Sequence, residues 1–165
     1  MTVKLLLLDI DGVLNSHNQH PNGYCGIDHD KAARLHWIVQ RSGCGILIVS
    51  AWRYLVLNRS MRLPGFCNLL LTHGVSKQVT EVIVGVLPED LSCNDLHDRG
   101  KNCRGWWDTH PHYTHVVALD DGSWPDGFDL GYEVMGIPVV RPSPQVGLTD
   151  EEADRVVRLF NGEAK

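Results

Sequence analysis

Leu5-Leu6-Leu7-Leu8-Asp9-Ile10-Asp11-Gly12-Val13-Leu14-Asn15 is the stretch on which the fold class turns. The segment Val3–Leu8 ends in four leucines and stops at an acid. An apolar run without polar alternation suits a strand covered on both faces of a parallel sheet. Two carboxylates two residues apart, just past such a strand, lie close together and repel. A hard cation relieves that repulsion, and oxygen ligands suit magnesium. Gly12 permits a sharp turn and a close approach of backbone to a phosphate. An aspartate is also a competent nucleophile that forms an aspartyl-phosphate. Alone, Asp-x-Asp-Gly equally fits a solvated turn or a calcium loop. The preceding strand and the lack of a later Glu at the right spacing argue against the EF-hand kind.

Outward from this stretch, apolar runs alternate with helical patterns. Asp28 or Asp30 caps a predicted helix running to about Ser42, with Ala32, Leu35, Ile38 and Val39 on one face, and Gly43 closes it. Gly45–Val49 is a second strand, ending at Ser50. Residues 52–74 read as helical, interrupted at Pro64, and the β-branched run Glu81–Leu87 reads as a third strand. Arg99–His110 is helix-like, with Pro111 just beyond. His115–Leu119 is a fourth strand, Ile137–Val140 a short fifth, and Asp150 opens a last helix. The alternation predicts an α/β fold with a mainly parallel sheet of about five strands. In such folds ligands bind at the carboxyl ends of strands, near a topological switch point. Three predicted strands end in chemically useful residues: Asp9, Ser50 and Asp120.

In Ile46-Leu47-Ile48-Val49-Ser50-Ala51-Trp52-Arg53, a small hydroxyl at a strand end can donate to a phosphoryl oxygen, and Arg53 can reach the same oxygens bidentately. The plainer readings are a helix N-cap for Ser50 and an exposed charge for Arg53. Arg99-Gly100-Lys101 precedes Trp106-Trp107. A fixed cation there offsets charge between a nucleophile and a phosphate, although either residue also fits a solvated helix start. Cations at a helix N-terminus oppose its dipole, which favours a functional reason. The acids of Val116-Val117-Ala118-Leu119-Asp120-Asp121-Gly122 repeat the logic of the first pair, or form a turn.

The order strand-DxDGV, strand-Ser, basic residue before a helix, strand-DD resembles the haloacid dehalogenase (HAD) superfamily. In more detail, Ser50-Ala51-Trp52-Arg53, the run R-G-x-x-C-x-x-W-W from Arg99, Leu119-Asp120-Asp121 and Gly147-Leu148-Thr149 are similar to the HAD domain of Swiss Army Knife RNA repair proteins. The resemblance covers nearly the whole chain. It implies a Rossmann-like HAD fold as a single domain over 1–165, and a magnesium-dependent phosphatase working through a phosphoaspartyl intermediate. It implies that Asp9 is nucleophile and Mg2+ ligand. Asp11 protonates the leaving group, then activates water, and gives its backbone carbonyl to the metal. Ser50 binds the phosphoryl group, and Arg99 or Lys101 steadies Asp9 and the phosphate. Asp120 is the first choice as direct metal ligand and Asp121 the second. Spacing to Trp106 favours Arg99 as the match to the family's lysine, and arginine there is a departure that leaves Lys101 in play. Residues 15–30 are too few for a folded cap, and 54–98 are taken up by helices and a strand. A capless or minimally capped site is expected, which favours a macromolecular or bulky substrate end.

Composition narrows the field. The chain has 165 residues, 43% hydrophobic and 21% charged, enough for one core that buries ~70% of the unfolded surface. Fifteen basic against 20 acidic residues give net −5, which argues against broad nucleic-acid binding but leaves room for a small basic patch at a site mouth. Five cysteines without C-x-x-C spacing read as free thiols in a reducing cytoplasm. The leucine run is too short for a signal peptide or a membrane span. His110, His112 and His115 straddle a turn and a strand start, so a zinc site is not expected there. A solvated loop is the expected setting for His17 and His20. Of Trp52, Trp106, Trp107 and Trp124, one of the adjacent pair is expected in the core, and Trp124 is the best candidate for base stacking.

The substrate implied by the resemblance is a phosphorylated RNA or DNA end or a nucleotide, with no membrane and no partner protein called for. A small-metabolite phosphatase is the alternative that the acidic charge favours. A non-catalytic binding module is the third reading, and the presence of both first-motif acids and the acidic pair counts against it.

Overall fold

A computed structural model describes residues 3–23, 26–89, 98–122 and 131–163. The elements are β1 (Lys4–Leu8), α1 (His29–Ser42), β2 (Gly45–Ile48), a short 3-10 helix (Ala51–Arg53), α2 (Tyr54–Leu57), α3 (Leu63–Thr72), α4 (Lys77–Glu81), β3 (Ile83–Val86), α5 (Arg99–Asp108), β4 (His115–Leu119), β5 (Val139–Val140) and α6 (Asp150–Phe160). The strands form one sheet in the order β3-β2-β1-β4-β5, and every pairing is parallel. This is the α/β, Rossmann-like architecture expected from the strand–helix alternation.

β1 is central because it is apolar on both sides. Side chains alternate across a strand, so Leu6 and Leu8 enter one core with Ile46, Ile48, Val117 and Leu119. Leu5 and Leu7 enter a second core with Leu47, Val116 and Ala118. The first core is roofed by α1, α3, α4 and α6 through residues such as Leu35, Phe66, Val79 and Val156. The second is covered by α5, through Cys103, Trp106 and Trp107, and by Tyr132 and Ile137. Both adjacent tryptophans therefore pack on that core, not one of them, and the Trp107 indole N–H also donates to the Tyr113 carbonyl at 2.7 Å.

Several boundaries differ from the sequence expectation for local reasons. The third strand begins at Ile83, because Lys77–Glu81 forms a helical turn capped by Ser76. Pro64 does not interrupt a helix but sits in the first turn of α3, where its missing N–H would have had no partner. The break falls instead at residues 58–62. β5 starts at Val139 because the Ile137 N–H turns back to the Tyr132 carbonyl at 2.9 Å. α1 starts after Asp28, but the Asp28 side chain does not cap it; it takes the buried Lys31 ammonium at 3.0 Å and His20 Nε2 at 2.8 Å. α6 is capped by Thr149, whose N–H donates to the Glu152 carboxylate at 2.8 Å.

Among the described residues, neither stretch that would carry a cap holds a separate subdomain. Residues 9–23 and 26–28 are turns and loop. α3 and α4 belong to the sheet's own helical layer, with Phe66, Leu70 and Val79 in the first core. No described helix is long and apolar enough to cross a membrane.

Candidate active site

From β1 the chain winds outward through β2 to β3, then returns to lay β4 and β5 on the other side. The switch point lies between β1 and β4, where a crevice opens at the strands' carboxyl ends. Leu8 pairs with Leu119 and with Ile48, so Asp9 and Asp120 emerge side by side, and Ser50 emerges two residues beyond Ile48. The backbone stays registered past the strands: the Asp9 N–H donates to the Leu119 carbonyl at 3.0 Å, and the Asp120 N–H to that of Val140 at 3.1 Å.

Ligand atoms of Asp9, Asp120 and Asp121 lie within 4.8 Å of one another. Gly12 makes this possible: a Cβ at that position would lie 2.0 Å from Asp121 Oδ2, and its φ of +77° is the left-handed region that glycine tolerates. Into this cluster Arg99 brings the compensating charge. Its Nη1 donates to Asp120 Oδ2 at 2.7 Å and reaches Asp9 Oδ2 at 3.3 Å. The Tyr132 hydroxyl donates to the same Asp120 oxygen at 2.9 Å, and the Gly122 N–H to its other oxygen at 3.0 Å. Arg99 and Tyr132 can meet there because Gly100 lets α5 touch the backbone of residues 131–132. A Cβ at Gly100 would lie 2.5 Å from the Gly131 carbonyl carbon.

Burial pushes the Asp9 carboxyl up to about 7, and Asp120 and Asp121 push it the same way against the opposing pull of Arg99 and the Ile10 N–H. For Arg99, burial alone would lower the pKa, but Asp120 and Asp9 hold it well above its ordinary value. Burial likewise pushes the Cys103 thiol up to about 12, which makes it an inert neighbour and not a nucleophile.

Asp11 stands apart from the three clustered acids. Its carboxylate accepts from the Asn15 side-chain amide at 2.9 Å and from the Trp52 indole N–H at 3.1 Å to each oxygen. Asn15 is itself fixed by the Gly12 N–H and the Gly26 carbonyl, each at 2.9 Å. The hydroxyl of the buried Ser50 accepts from the Trp52 N–H at 3.3 Å, so the capping role is present. Arg53 is not an exposed charge: it is 2% exposed, and its Nη1 donates to the Val49 and Ser50 carbonyls at 2.7 and 3.3 Å. Lys101, two residues beyond Arg99 on α5, is exposed.

The fold thus brings Asp9, Arg99, Asp120 and Asp121 into direct contact or close approach, with Ser50 and Arg53 on the neighbouring strand end and Asp11 across the turn. Sequence reasoning missed Tyr132 and the roles of Asn15 and Trp52. Asn15 closes the first motif, and that position was a usable signal. Tyr132 carried none, since it follows Asp120 by 12 residues in an unpatterned stretch. Trp124 lies outside the described residues. His110 stacks on Trp106 at 3.8 Å between ring centroids.

A family model described as the HAD domain in Swiss Army Knife RNA repair proteins matches residues 5–153. Comparisons with curated proteins and with solved structures returned no match.

Proposed function

The chain belongs to this family of HAD domains, and on that premise we propose that it is a magnesium-dependent phosphohydrolase, one domain over residues 1–165, with Asp9 as nucleophile. The observation that carries the reading is the Asp9 carboxylate at the end of the central strand, beside Asp120 and Asp121 and within reach of one fixed guanidinium.

The donor set fits a hard cation. A carboxylate offers about four lone-pair sites. Asp9 spends two on Ile10 and Arg99, and Asp120 spends three on Arg99, Tyr132 and Gly122. Asp9, Asp120, Asp121 and the Asp11 carbonyl would hold the ion. Bound magnesium would supply charge neutralisation between the carboxylates and the phosphoryl oxygens.

The remaining chemistry belongs to the chain. An Asp9 oxygen attacks phosphorus, the bond to the leaving oxygen breaks, and that oxygen takes the proton held on Asp11. Asp11 then removes a proton from water, whose oxygen displaces Asp9 and releases phosphate. Asn15 and Trp52 aim the Asp11 carboxylate for both transfers. The Ser50 hydroxyl binds a phosphoryl oxygen, and Arg53 positions it by holding the Val49 and Ser50 carbonyls. Arg99 supports the nucleophile and the transferring group. The family's description supports a phosphorylated nucleic-acid end or nucleotide as substrate. Five cysteines without C-x-x-C spacing support a reducing compartment such as the cytoplasm.

The test is a screen of an aryl phosphate, oligonucleotide 3′- and 5′-phosphates, nucleotides and small phosphorylated metabolites, with and without Mg2+. Magnesium-dependent release from the oligonucleotides or nucleotides is expected. No release from any substrate would sink the phosphohydrolase, and release only from metabolites would sink the nucleic-acid substrate.

A further inference from the structure

Beside Asp11 lies an open groove of about 480 Å³ whose lining includes Trp52, Tyr54, Leu55, Asn58, Leu69 and His73. This is within the ~300–1,000 Å³ of pockets that hold small ligands. We propose that this groove receives the nucleobase of the leaving nucleotide, which stacks against its rings while the phosphate sits at Asp9; the proposal rests on the phosphohydrolase reading.

Three observations converge on it. The first is connection. The Trp52 ring walls the groove while its N–H grips Asp11 at 3.1 Å, so a base on that wall belongs to the group that Asp11 protonates. His73 borders the site loop from the other side: a Cβ on Gly26, whose carbonyl holds Asn15, would lie 3.1 Å from His73 Nδ1. The second is the lining itself. Trp52 and His73 meet edge to face at 5.9 Å, Tyr54 adds a third ring, and Asn58 offers an amide donor and acceptor. Such a surface accepts the flat, apolar faces of any base and the polar edge of some.

The third is charge. Although the chain is net −5, residues 31–80 contain no Asp or Glu and seven Lys or Arg; Lys31, Arg34 and Lys77 pair with acids outside that stretch and Arg53 is buried, which leaves Arg41, Arg59 and Arg62. The groove's lining residues all fall inside that stretch, and the exposed Arg59 and Arg62 follow Asn58 by one and four residues. A nucleic-acid end brings further phosphates along with its base, and these are what such cations attract. A phosphotyrosine side chain would also present a ring, but its ring carries the phosphate directly and it brings no second phosphate for Arg59 and Arg62.

The experiment compares kcat/KM of the 165-residue chain on 3′- and 5′-phosphorylated oligoribonucleotides with the same oligonucleotides bearing an abasic terminal residue. The base is expected to raise kcat/KM by roughly tenfold, the scale of one base on an aromatic ring. His73→Ala and Leu69→Glu should each bring that ratio toward one. Turnover with a ratio of one, or a ratio that both variants leave intact, overturns the groove and leaves the phosphohydrolase standing. Faster turnover of a phosphotyrosine peptide overturns the nucleotide as occupant. A second readout separates the two readings: adenosine monophosphate should quench indole fluorescence of the Asp9→Asn chain, and Trp52→Phe should remove that quenching. Quenching without turnover on any substrate keeps the groove and sinks the phosphohydrolase. Absence of both sinks both.

Discussion

The Trp52 indole N–H donates to both oxygens of the Asp11 carboxylate, 3.1 Å from each. The 3-10 helix after β2 is thereby tied to the turn after β1, and the orientation of the proposed acid depends on a residue 41 positions away in sequence. Trp52→Phe keeps a ring and removes the donor. A hydrogen bond to a charged group contributes about 1.5–3 kcal/mol, so kcat should fall by at least about tenfold. A double-mutant cycle with Asp11→Asn checks the route: the Trp52 effect should vanish once the carboxylate is gone. An undiminished effect would mean that Trp52 acts only through packing.

Asp9→Asn should abolish phosphate release while the chain stays folded, because an amide is a poor nucleophile and a poor magnesium ligand. The same change removes a charge that burial and two neighbouring acids disfavour. The metal-free variant should therefore melt at or above the wild-type temperature at pH 8. Near-wild-type turnover would remove Asp9 as nucleophile.

The pH dependence follows from the same carboxyl. Its pKa is about 7 in the fold against an ordinary value of 3.8. Between those values the folded chain holds a proton that the unfolded chain has lost. This contribution to stability is fully present below pH 3.8, falls as pH rises, and is gone above about 7. The metal-free melting temperature should drop across that window by an amount worth a few kcal/mol in order of magnitude. Added Mg2+ should restore stability most strongly at the alkaline end, where no proton competes. Thermal melts across pH, with and without Mg2+, read both effects; a Mg2+ effect that is largest at low pH would contradict the site.

Arg99→Ala leaves buried carboxylates without their cation, and such losses cost about 3–5 kcal/mol. Denaturant unfolding should show this, with activity lost as well, and Arg99→Lys should recover part of both. Lys101→Ala, at an exposed position, should change stability by no more than about 0.5 kcal/mol and leave kcat intact. The reverse pattern would assign the third motif to Lys101.

Gly12→Ala tests the crowding of the acids. Its methyl would lie 2.0 Å from Asp121 Oδ2, at a φ of +77°. Asp121 must swing away, so Mg2+ affinity should fall by about tenfold or more, on top of a loss of roughly 1 kcal/mol or more in stability from the strained backbone. Isothermal titration with Mg2+ measures the first and urea unfolding the second. Unchanged affinity would exclude Asp121 as a ligand.

Local chemistry was enough to read β1, α1, β4 and α6 from the sequence, because each strand has an apolar run, each helix a hydrophobic period, and all have a clear start or stop. The four-leucine run suits a strand with both faces covered, and so places Asp9 at a buried strand end. The same run made a mainly parallel sheet the expected frame, and Gly12 read as a sharp turn; that it makes room for Asp121 is visible only in the fold. Short elements were less legible. The five-residue helix Lys77–Glu81 is not foreseen, and its last residue reads as the start of a strand, because in so short a helix capping decides and periodicity has no room to appear; Pro64 reads as a break but opens a helix.

Only the tertiary structure decided which cation meets the acids. Arg99 and Lys101 are two residues apart and both cationic at neutral pH, but they point to different sides of α5, and only the side packed on Tyr132 reaches Asp120. It also decided that Arg53 holds the end of β2, where sequence offered an exposed charge or a phosphate ligand, and that Trp52, Asn15 and Tyr132 orient the acids. Periodicity reports how each element faces the core one at a time. Hydrogen bonds between side chains on different elements depend on how those elements are placed against each other, and that placement is set by the packing of the whole sheet and its helices.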